Sequence, residues 1–267
     1  MTASDDEFDL SLDSVFPEPP RPPTPQPTTA TFTRDERFLK GDSDWKNITI
    51  KLVGDHPLWG HYLWNAARAF ATYLDENPDF YRARNVLELG AGGALPSIVT
   101  AKNDAALTIV TDYPDASLIN NIQDNIDANF EGHSKSKILA EGYIWGQSAV
   151  GLLDTAESTT GRRSFDLIIL SDLVFNHSQH DALLSTCEAV LTSSSTVEEG
   201  PEPCVLVFYS HHRPHLAHRD MEFFSKAKDR GWKVEKVVEE RFPVMFPEDS
   251  GDETVRSTVH GWRLTKP

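Results

Sequence analysis

The sequence predicts an α/β fold: a mostly parallel sheet with helices on both faces and an antiparallel hairpin at the C-terminal end. Three observations predict it. From Val86 to Asp112 an apolar run enters a glycine-rich turn, continues with helical character, and leads to a second apolar run ending in an acid, which is a β-α-β unit. Apolar runs and helix-period segments then alternate down the chain, as in a parallel sheet buried on both faces. Only at the end do two strands follow each other directly. Trp232–Phe242 and Val255–Leu264 flank an acidic loop with Glu248, Asp249, Asp252 and Glu253.

Residues 1–44 are unlike the rest. Asp5, Asp6, Glu7, Asp9, Asp13 and Glu18 precede the first basic residue, Arg21, and seven of the eleven residues from Pro17 to Pro27 are proline. Proline donates no backbone N–H, and little here can be buried, so this stretch reads as an arm without stable fold. It is either solvated or docks a partner, and Phe32–Phe38 is the part expected to pack onto the domain, residues 45–267. In Trp45–Val53 the alternation of Ile48, Ile50 and Leu52 predicts a short strand or extended lead-in. Helical spacing starts at about Leu58, with Trp59, Leu63, Ala66, Phe70 and Leu74 as the buried stripe. Trp64 would point about 140° away from Trp59 on that helix. It therefore packs against a loop or borders a ligand pocket.

Further strands are predicted at Arg84–Leu89, Leu107–Thr111, Ile138–Tyr143, Phe165–Ser171 and Cys204–Tyr209. Helices are predicted at Pro96–Lys102, Asp115–Asn129, Gln179–Leu191 and Ala217–Arg230, the last closed by Gly231. Residues 151–163, rich in Ser, Thr, Gly and Arg, read as a surface connection, and residues 192–203 as a loop.

The 267 residues suffice for one large α/β domain, and the net charge of −16 argues against nucleic acid as a direct partner. It is compatible with a basic protein substrate. Cys187 and Cys204 have no metal spacing and fit a reducing, cytoplasmic setting. No apolar run is long enough for a membrane span, and the acidic start lacks the basic region of a signal peptide. No metal is expected at His211, His212, His215 and His218, which have no carboxylate or cysteine pattern beside them in sequence. A loop of this kind lines a substrate cleft or is solvated.

Gly90 and Gly92 lack Cβ atoms, so the backbone can turn sharply and a ligand can lie against it. Asp112, 22 residues past Gly90, stands at the expected tip of the second strand, where a carboxylate accepts hydrogen bonds from a ribose diol. A dinucleotide fingerprint needs a third glycine where this chain has Leu95, and Glu88 precedes Gly90 by two residues. Glu-Leu-Gly-Ala-Gly instead resembles the E-x-G-x-G of Class I methyltransferases, which bind S-adenosylmethionine (SAM). The late hairpin matches the end of the seven-stranded sheet of that class. Trp145, just past a strand end, is either an ordinary loop aromatic or an adenine neighbour.

Four segments carry a closer resemblance: Pro57–Ala66 (PLWGHYLWNA), Val86–Ser97, Val110–Asp115 (VTDYPD) and Asp166–His177 (DLIILSDLVFNH). They resemble the seven-β-strand lysine methyltransferase group, and within it the fungal protein N-terminal and lysine methyltransferases acting on translation elongation factor 1-alpha, formerly labelled nicotinamide N-methyltransferase-like. The resemblance covers the chain from about residue 30 onward. It implies SAM as cofactor, with Trp64, Gly90, Ala91, Gly92, Asp112, Trp145 and Ser171 contacting it. It also implies methylation of the elongation factor's N-terminal glycine and adjacent lysine. The group's D-x-x-Y element matches Asp172 to Phe175, with Phe in place of the commoner Tyr. Asp172 is expected to orient the amine, or else to cap the next element, and Phe175 to wall the pocket. A monomer is expected. A small-molecule N-methyltransferase acting on a nicotinamide-like ring and a non-catalytic SAM-binding scaffold are the competing readings.

Overall fold

The computed structural model describes residues 27–39, 41, 44–54, 62–194 and 200–266. Its centre is a seven-stranded sheet. In chain order the strands are β3 (Asn85–Leu89), β4 (Leu107–Asp112), β5 (Ile138–Gly142), β6 (Leu167–Ser171), β7 (Cys204–Ser210), β8 (Lys233–Arg241) and β9 (Thr258–Thr265). Their order across the sheet is β5-β4-β3-β6-β7-β9-β8. The first five are parallel, and β9 is inserted antiparallel to both β7 and β8. The chain therefore builds outward from β3 in one direction and from β6 in the other. Such a switch point opens a crevice at the C-terminal ends of the strands, where ligands bind in open α/β sheets.

The side chains of β3, β4 and β7 are buried throughout, so these strands are largely apolar, and buried polar residues such as Asn85, Glu88, Thr108 and Thr111 are hydrogen-bonded internally. Successive residues serve opposite layers. Leu167 and Ile169 of β6 join the core beneath α1 (Asn65–Glu76), α2 (Leu95–Lys102) and α3 (Ala116–Asn129), together with Val110, Leu206 and Phe208. Ile168 and Leu170 join the core beneath α4 (Val150–Thr160), α5 (His180–Val190) and α6 (Ala217–Asp229), together with Leu87, Leu89 and Val207.

Four expectations from sequence change. Within the segment assigned to the arm, β1 (Thr28–Thr33) pairs antiparallel with β2 (Asn47–Leu52), from Thr28 opposite Leu52 to Thr33 opposite Asn47. Phe32 turns into the core, and the next residue but one, Arg34, donates Nε and Nη2 to the two carboxylate oxygens of Asp75 at 2.7 and 2.6 Å. This buried fork ties the exit of β1 to the end of α1. The acidic and proline-rich part, residues 1–26, lies outside the described residues. Second, α1 begins at Asn65, and Trp64 is its extended N-cap at φ −64°, ψ 149°. The helical phase argued for Trp64 does not apply, and Trp59 lies outside the described residues.

Third, the expected surface connection is α4. The hydroxyls of Ser158 and Thr159 donate to the carbonyl of Thr155, and Thr160 donates to that of Ala156, so its Ser and Thr side chains bond back onto their own helix. Leu152 and Ala156 anchor it in the core, and Gly161 at φ 73° closes it. Fourth, a short helix, α7 (Glu253–Ser257), capped by Asp252, delays β9 to Thr258.

Candidate active site

The glycine turn leaves the end of β3 at the switch point. Gly90 at φ 63° and Gly92 at φ 54° occupy the left-handed region that glycine adopts without steric cost. Asp112, at the tip of β4, accepts from the Gly92 N–H at 2.8 Å and from the Tyr113 N–H at 2.7 Å. Its carboxylate thus fixes the turn against the neighbouring strand. A Cβ added at Gly90 would lie 2.8 Å from Cζ2 of Trp145 and 2.8 Å from Cδ2 of Leu173, whereas at Gly92 it would meet nothing within 4 Å. One side of the turn is closed by an indole and a leucine, and the other is open.

Beneath the turn lies Glu88, fully buried. The Ser97 N–H, at the start of α2, donates to its Oε2 at 3.1 Å, and Oε1 has no partner among the described residues. Burial pushes this carboxyl up to about pH 8, with the nearby Asp112 charge acting in the same direction, so Glu88 is protonated at neutral pH.

A second feature opens beside the C-terminal ends of β6 and β7. A cavity of about 340 Å³ is lined by Trp64, Phe175, Ser210, His212, Met245 and Phe246, among others. Its outer wall is the loop between β8 and α7, held by Asn65 Nδ2 on the Pro243 carbonyl at 2.9 Å and by Arg256 Nη1 on the Phe246 carbonyl at 2.7 Å. Phe246 meets Trp64 edge-on, with ring centres 5.9 Å apart. The segment leaving β6 joins the two features: Leu173 lies on Gly90, and Phe175 lines the cavity.

Asp172 is the first residue after β6. It holds a left-handed conformation, φ 59°, unusual for a residue with a side chain. Its N–H donates to the Phe208 carbonyl at 2.7 Å, and the Ser210 N–H reaches its Oδ1 at 3.4 Å. His212 Nε2 donates to both carboxylate oxygens at 2.9 Å. Burial alone would lower the pKa of His212, but the charge and hydrogen bond of Asp172 outweigh it and raise the imidazole above its ordinary value. The His212 ring lies 4.6 Å from Trp64 and 6.4 Å from Phe175, centre to centre. Asp220 of α6 accepts from His177 Nε2 and His211 Nδ1, each at 2.7 Å.

The residues expected from sequence thus fall into two adjoining groups. Gly90, Ala91, Gly92, Asp112 and Trp145 surround the turn, and Ala91 donates its N–H to the Thr111 carbonyl at 3.0 Å. Trp64 and Phe175 lie at the cavity. Ser171 ends β6 opposite Phe208, between the two groups. Asp172 directs its carboxylate at His212, so it reaches the cavity through the imidazole. Sequence reasoning missed Ser210, Met245 and Phe246, and it named His212 only as part of a loop that lines a substrate cleft or is solvated, without its partner Asp172. The carboxylates that the histidine loop lacks in its own stretch come from 40 residues upstream, Asp172, and from the following helix, Asp220. Among the described residues no cluster of three or more His, Cys, Asp or Glu could hold a metal ion.

The fold resembles two solved structures. One, described as an RNA methyltransferase of Pyrococcus horikoshii, shares 16% identity at a TM-score of 0.51, covering 79% of this chain and 89% of that one. The other, a 16S rRNA methyltransferase of T. thermophilus, shares 15% identity at a TM-score of 0.51, covering 93% of this chain and 52% of that one. A sheet of this order, with a glycine turn at its switch point, is that of a Class I methyltransferase. Residues 44–230 match the lysine methyltransferase family, and the chain belongs to it. Relatives named "Protein N-terminal and lysine N-methyltransferase EFM7" include one from Cryptococcus neoformans, 49% identical over 98% of this chain and 90% of its own length. Others are from Schizosaccharomyces pombe, 43% identical over 95% of each chain, and Neurospora crassa, 36% identical over 98% of this chain and 91% of its own.

Proposed function

We propose that the protein is a SAM-dependent N-methyltransferase acting in the cytoplasm, as a monomer, on the N-terminal glycine and adjacent lysine of translation elongation factor 1-alpha. The observation that carries the reading is the juxtaposition at the switch point. A glycine turn with one open side adjoins an aromatic-walled cavity of about 340 Å³ with an Asp–His pair in its wall. The family and the names of its relatives support a protein amine as acceptor. Among the described residues no helix is long and apolar enough to cross a membrane.

The turn fits the cofactor. Gly90 and Gly92 remove the Cβ atoms that would bar close approach, and the space at Gly92 is open. Asp112, which accepts from the backbone N–H groups of Gly92 and Tyr113, places a carboxylate at the tip of β4, where a ribose diol would be recognised. Ala91, Trp145, Ser171 and Trp64 complete the contacts. When bound, SAM supplies a sulfonium methyl group that an amine lone pair can attack.

The chain's task is to present that lone pair. An α-amine, with a pKa of about 7.7 to 8.0, is partly neutral near pH 7, whereas a lysine amine near 10.4 is almost wholly charged. Trp64, Phe175 and Phe246 strip water from the entering amine and hold it in one direction, which lowers the barrier through proximity. Asp220 and Asp249 at the cavity supply negative charge for a cationic tail. The aromatic wall would also accept a flat ring, which keeps a nicotinamide-like acceptor as the second reading.

Tritiated SAM and the purified protein, added to lysate from a strain lacking the enzyme, test the choice. Label in one band near the mass of elongation factor 1-alpha, located in its N-terminal peptide, is expected. Label confined to small molecules would replace this reading with the second. SAM binding without any labelled product would point to a non-catalytic scaffold.

A further inference from the structure

We propose that His212 is the base that takes the proton from the incoming amine, and that Asp172 is the positioning residue that fixes its tautomer. The inference rests on the methyltransferase reading above and assigns a chemical role within it.

A carboxylate only accepts hydrogen bonds, so the proton facing Asp172 must sit on His212 Nε2. A neutral imidazole so arranged carries its free lone pair on Nδ1, which has no hydrogen-bond partner among the described residues. The ring lines the cavity, with about a quarter of its side chain exposed (27%), while the Asp172 side chain is almost wholly covered (5%). Buried acid, shared proton and open base thus run in sequence toward the space where the amine would enter.

The pair is rigidly built. Asp172 is held in its left-handed backbone by its own N–H on Phe208 and by the Ser210 N–H on its side chain. Strain of this kind persists where the surroundings over-determine it, and it concentrates at functional sites. Next along the chain, Val174 receives His180 Nε2 on its carbonyl at 2.7 Å, which fixes the turn that presents Phe175. Trp64 and Phe175 flank the His212 ring.

The charged and titratable groups facing His212 are few. Asp172 from β6 is in direct contact. Asp220 from α6 adds a weaker attraction while bound to His177 and His211, and Arg213 from the same loop opposes it. Asp249 and Arg256 line the cavity from the outer loop. The carboxylate in contact dominates and holds the imidazole above its usual value, which narrows its gap to the amine it would deprotonate.

In the step, an ammonium proton passes to Nδ1 and the resulting imidazolium is stabilised by Asp172. The neutral amine forms the new N–C bond as the C–S bond breaks and its electron pair stays on sulfur. The product leaves as an N-methylammonium ion, and Nδ1 returns its proton to water. At pH 7 roughly one α-amine in ten is already neutral, but only about one lysine amine in a few thousand. The base therefore matters more at the lysine than at the terminal amine.

The test uses the full-length protein and a peptide beginning Gly-Lys, with methylation at each amine followed by mass spectrometry from pH 6 to 9.5. His212→Gln keeps a donor for Asp172 but offers no base, and His212→Ala leaves room for added imidazole. In His212→Gln, SAM affinity should stay within about twofold while kcat at pH 7 falls roughly 100-fold. That loss should be larger at the lysine and should shrink as pH rises. Imidazole should restore part of the activity of His212→Ala. Asp172→Asn, which can donate to Nε2 and reverse the tautomer, should lose most kcat at low pH and recover as pH rises, as His212→Gln does. A wild-type profile without an acidic limb overturns the proposal, as does an equal loss at both amines and every pH. Wild-type protein that binds SAM but leaves the peptide unlabelled refutes the substrate reading itself. Labelled peptide with His212→Gln fully active refutes only the base.

Discussion

Two alanine substitutions two residues apart should behave differently, and the difference tests how the glycine turn is built. Alanine at Gly90 or Gly92 must adopt φ 63° or 54°, which costs roughly 1–2 kcal/mol for any residue with a Cβ. At Gly92 that is the whole cost, because nothing lies within 4 Å of the new atom. At Gly90 the new Cβ would sit 2.8 Å from both Trp145 Cζ2 and Leu173 Cδ2. Both are side-chain ends and can move, but displacing them from a packed core adds about 1–3 kcal/mol. For a domain of this size about 3 °C is lost per kcal/mol. Gly92→Ala should thus melt roughly 3–6 °C below the wild type, and Gly90→Ala roughly 6–15 °C below, by circular dichroism without ligand.

SAM binding should rank the pair differently. The Cβ at Gly92 projects into the open space assigned to the cofactor, so Gly92→Ala should lose about tenfold or more in affinity by calorimetry, a large effect for its small change in melting temperature. Gly90→Ala should weaken binding through the displaced Trp145. Equal melting shifts in the two variants would refute the packing of Trp145 and Leu173 on Gly90. Undiminished affinity in Gly92→Ala would refute the placement of the cofactor.

Three further perturbations follow from buried groups and the cavity wall. Burial raises Glu88 to about 8 from the ordinary 4.5. Below the ordinary value both folded and unfolded chains hold the proton. Between the two values the unfolded chain releases it and the folded one keeps it, so stability falls as pH rises, and above about 8 the whole cost remains. Glu88→Gln should therefore gain melting temperature relative to the wild type from pH 5 to pH 9, and a constant gap would count against the burial argument. Asp75→Ala strands the buried Arg34 guanidinium and should cost about 3 kcal/mol in urea unfolding; the double change with Arg34→Met should recover most of it, and failure to recover would place the cost elsewhere. Phe175→Tyr adds one hydroxyl to a wall with room for it, so kcat should stay within about threefold; a gain above tenfold would mean that the hydroxyl has a catalytic role.

The parts of the fold legible in the sequence are those where burial is uniform. β3, β4, β6 and β7 lie between two helical layers, so every position must be apolar or internally bonded, and the runs stand out. β1 was hidden because its outward residues are Thr29, Thr31 and Thr33 and only Phe32 is buried, directly behind a proline tract. α4 was hidden because Ser and Thr suggest a loop until their hydroxyls are seen to bond back to the helix. The turn and its acid were legible because they belong to one β-α-β unit, whose geometry fixes their spacing.

The Asp172–His212 pair has no such local signature. Its members are 40 residues apart, separated by α5, and become neighbours only because β6 and β7 are parallel, with Ser171 opposite Phe208. In parallel strands the residues just past the C-terminal ends come to one edge whatever lies between them in sequence. The informative observation in the sequence is that two predicted strands, Phe165–Ser171 and Cys204–Tyr209, which the structure pairs, each run directly into residues capable of proton chemistry. Along its own stretch of the chain His212 has no carboxylate partner among the described residues. Across the sheet, the register supplies Asp172 to His212, while Asp220 reaches His211 from the helix that follows it in the chain.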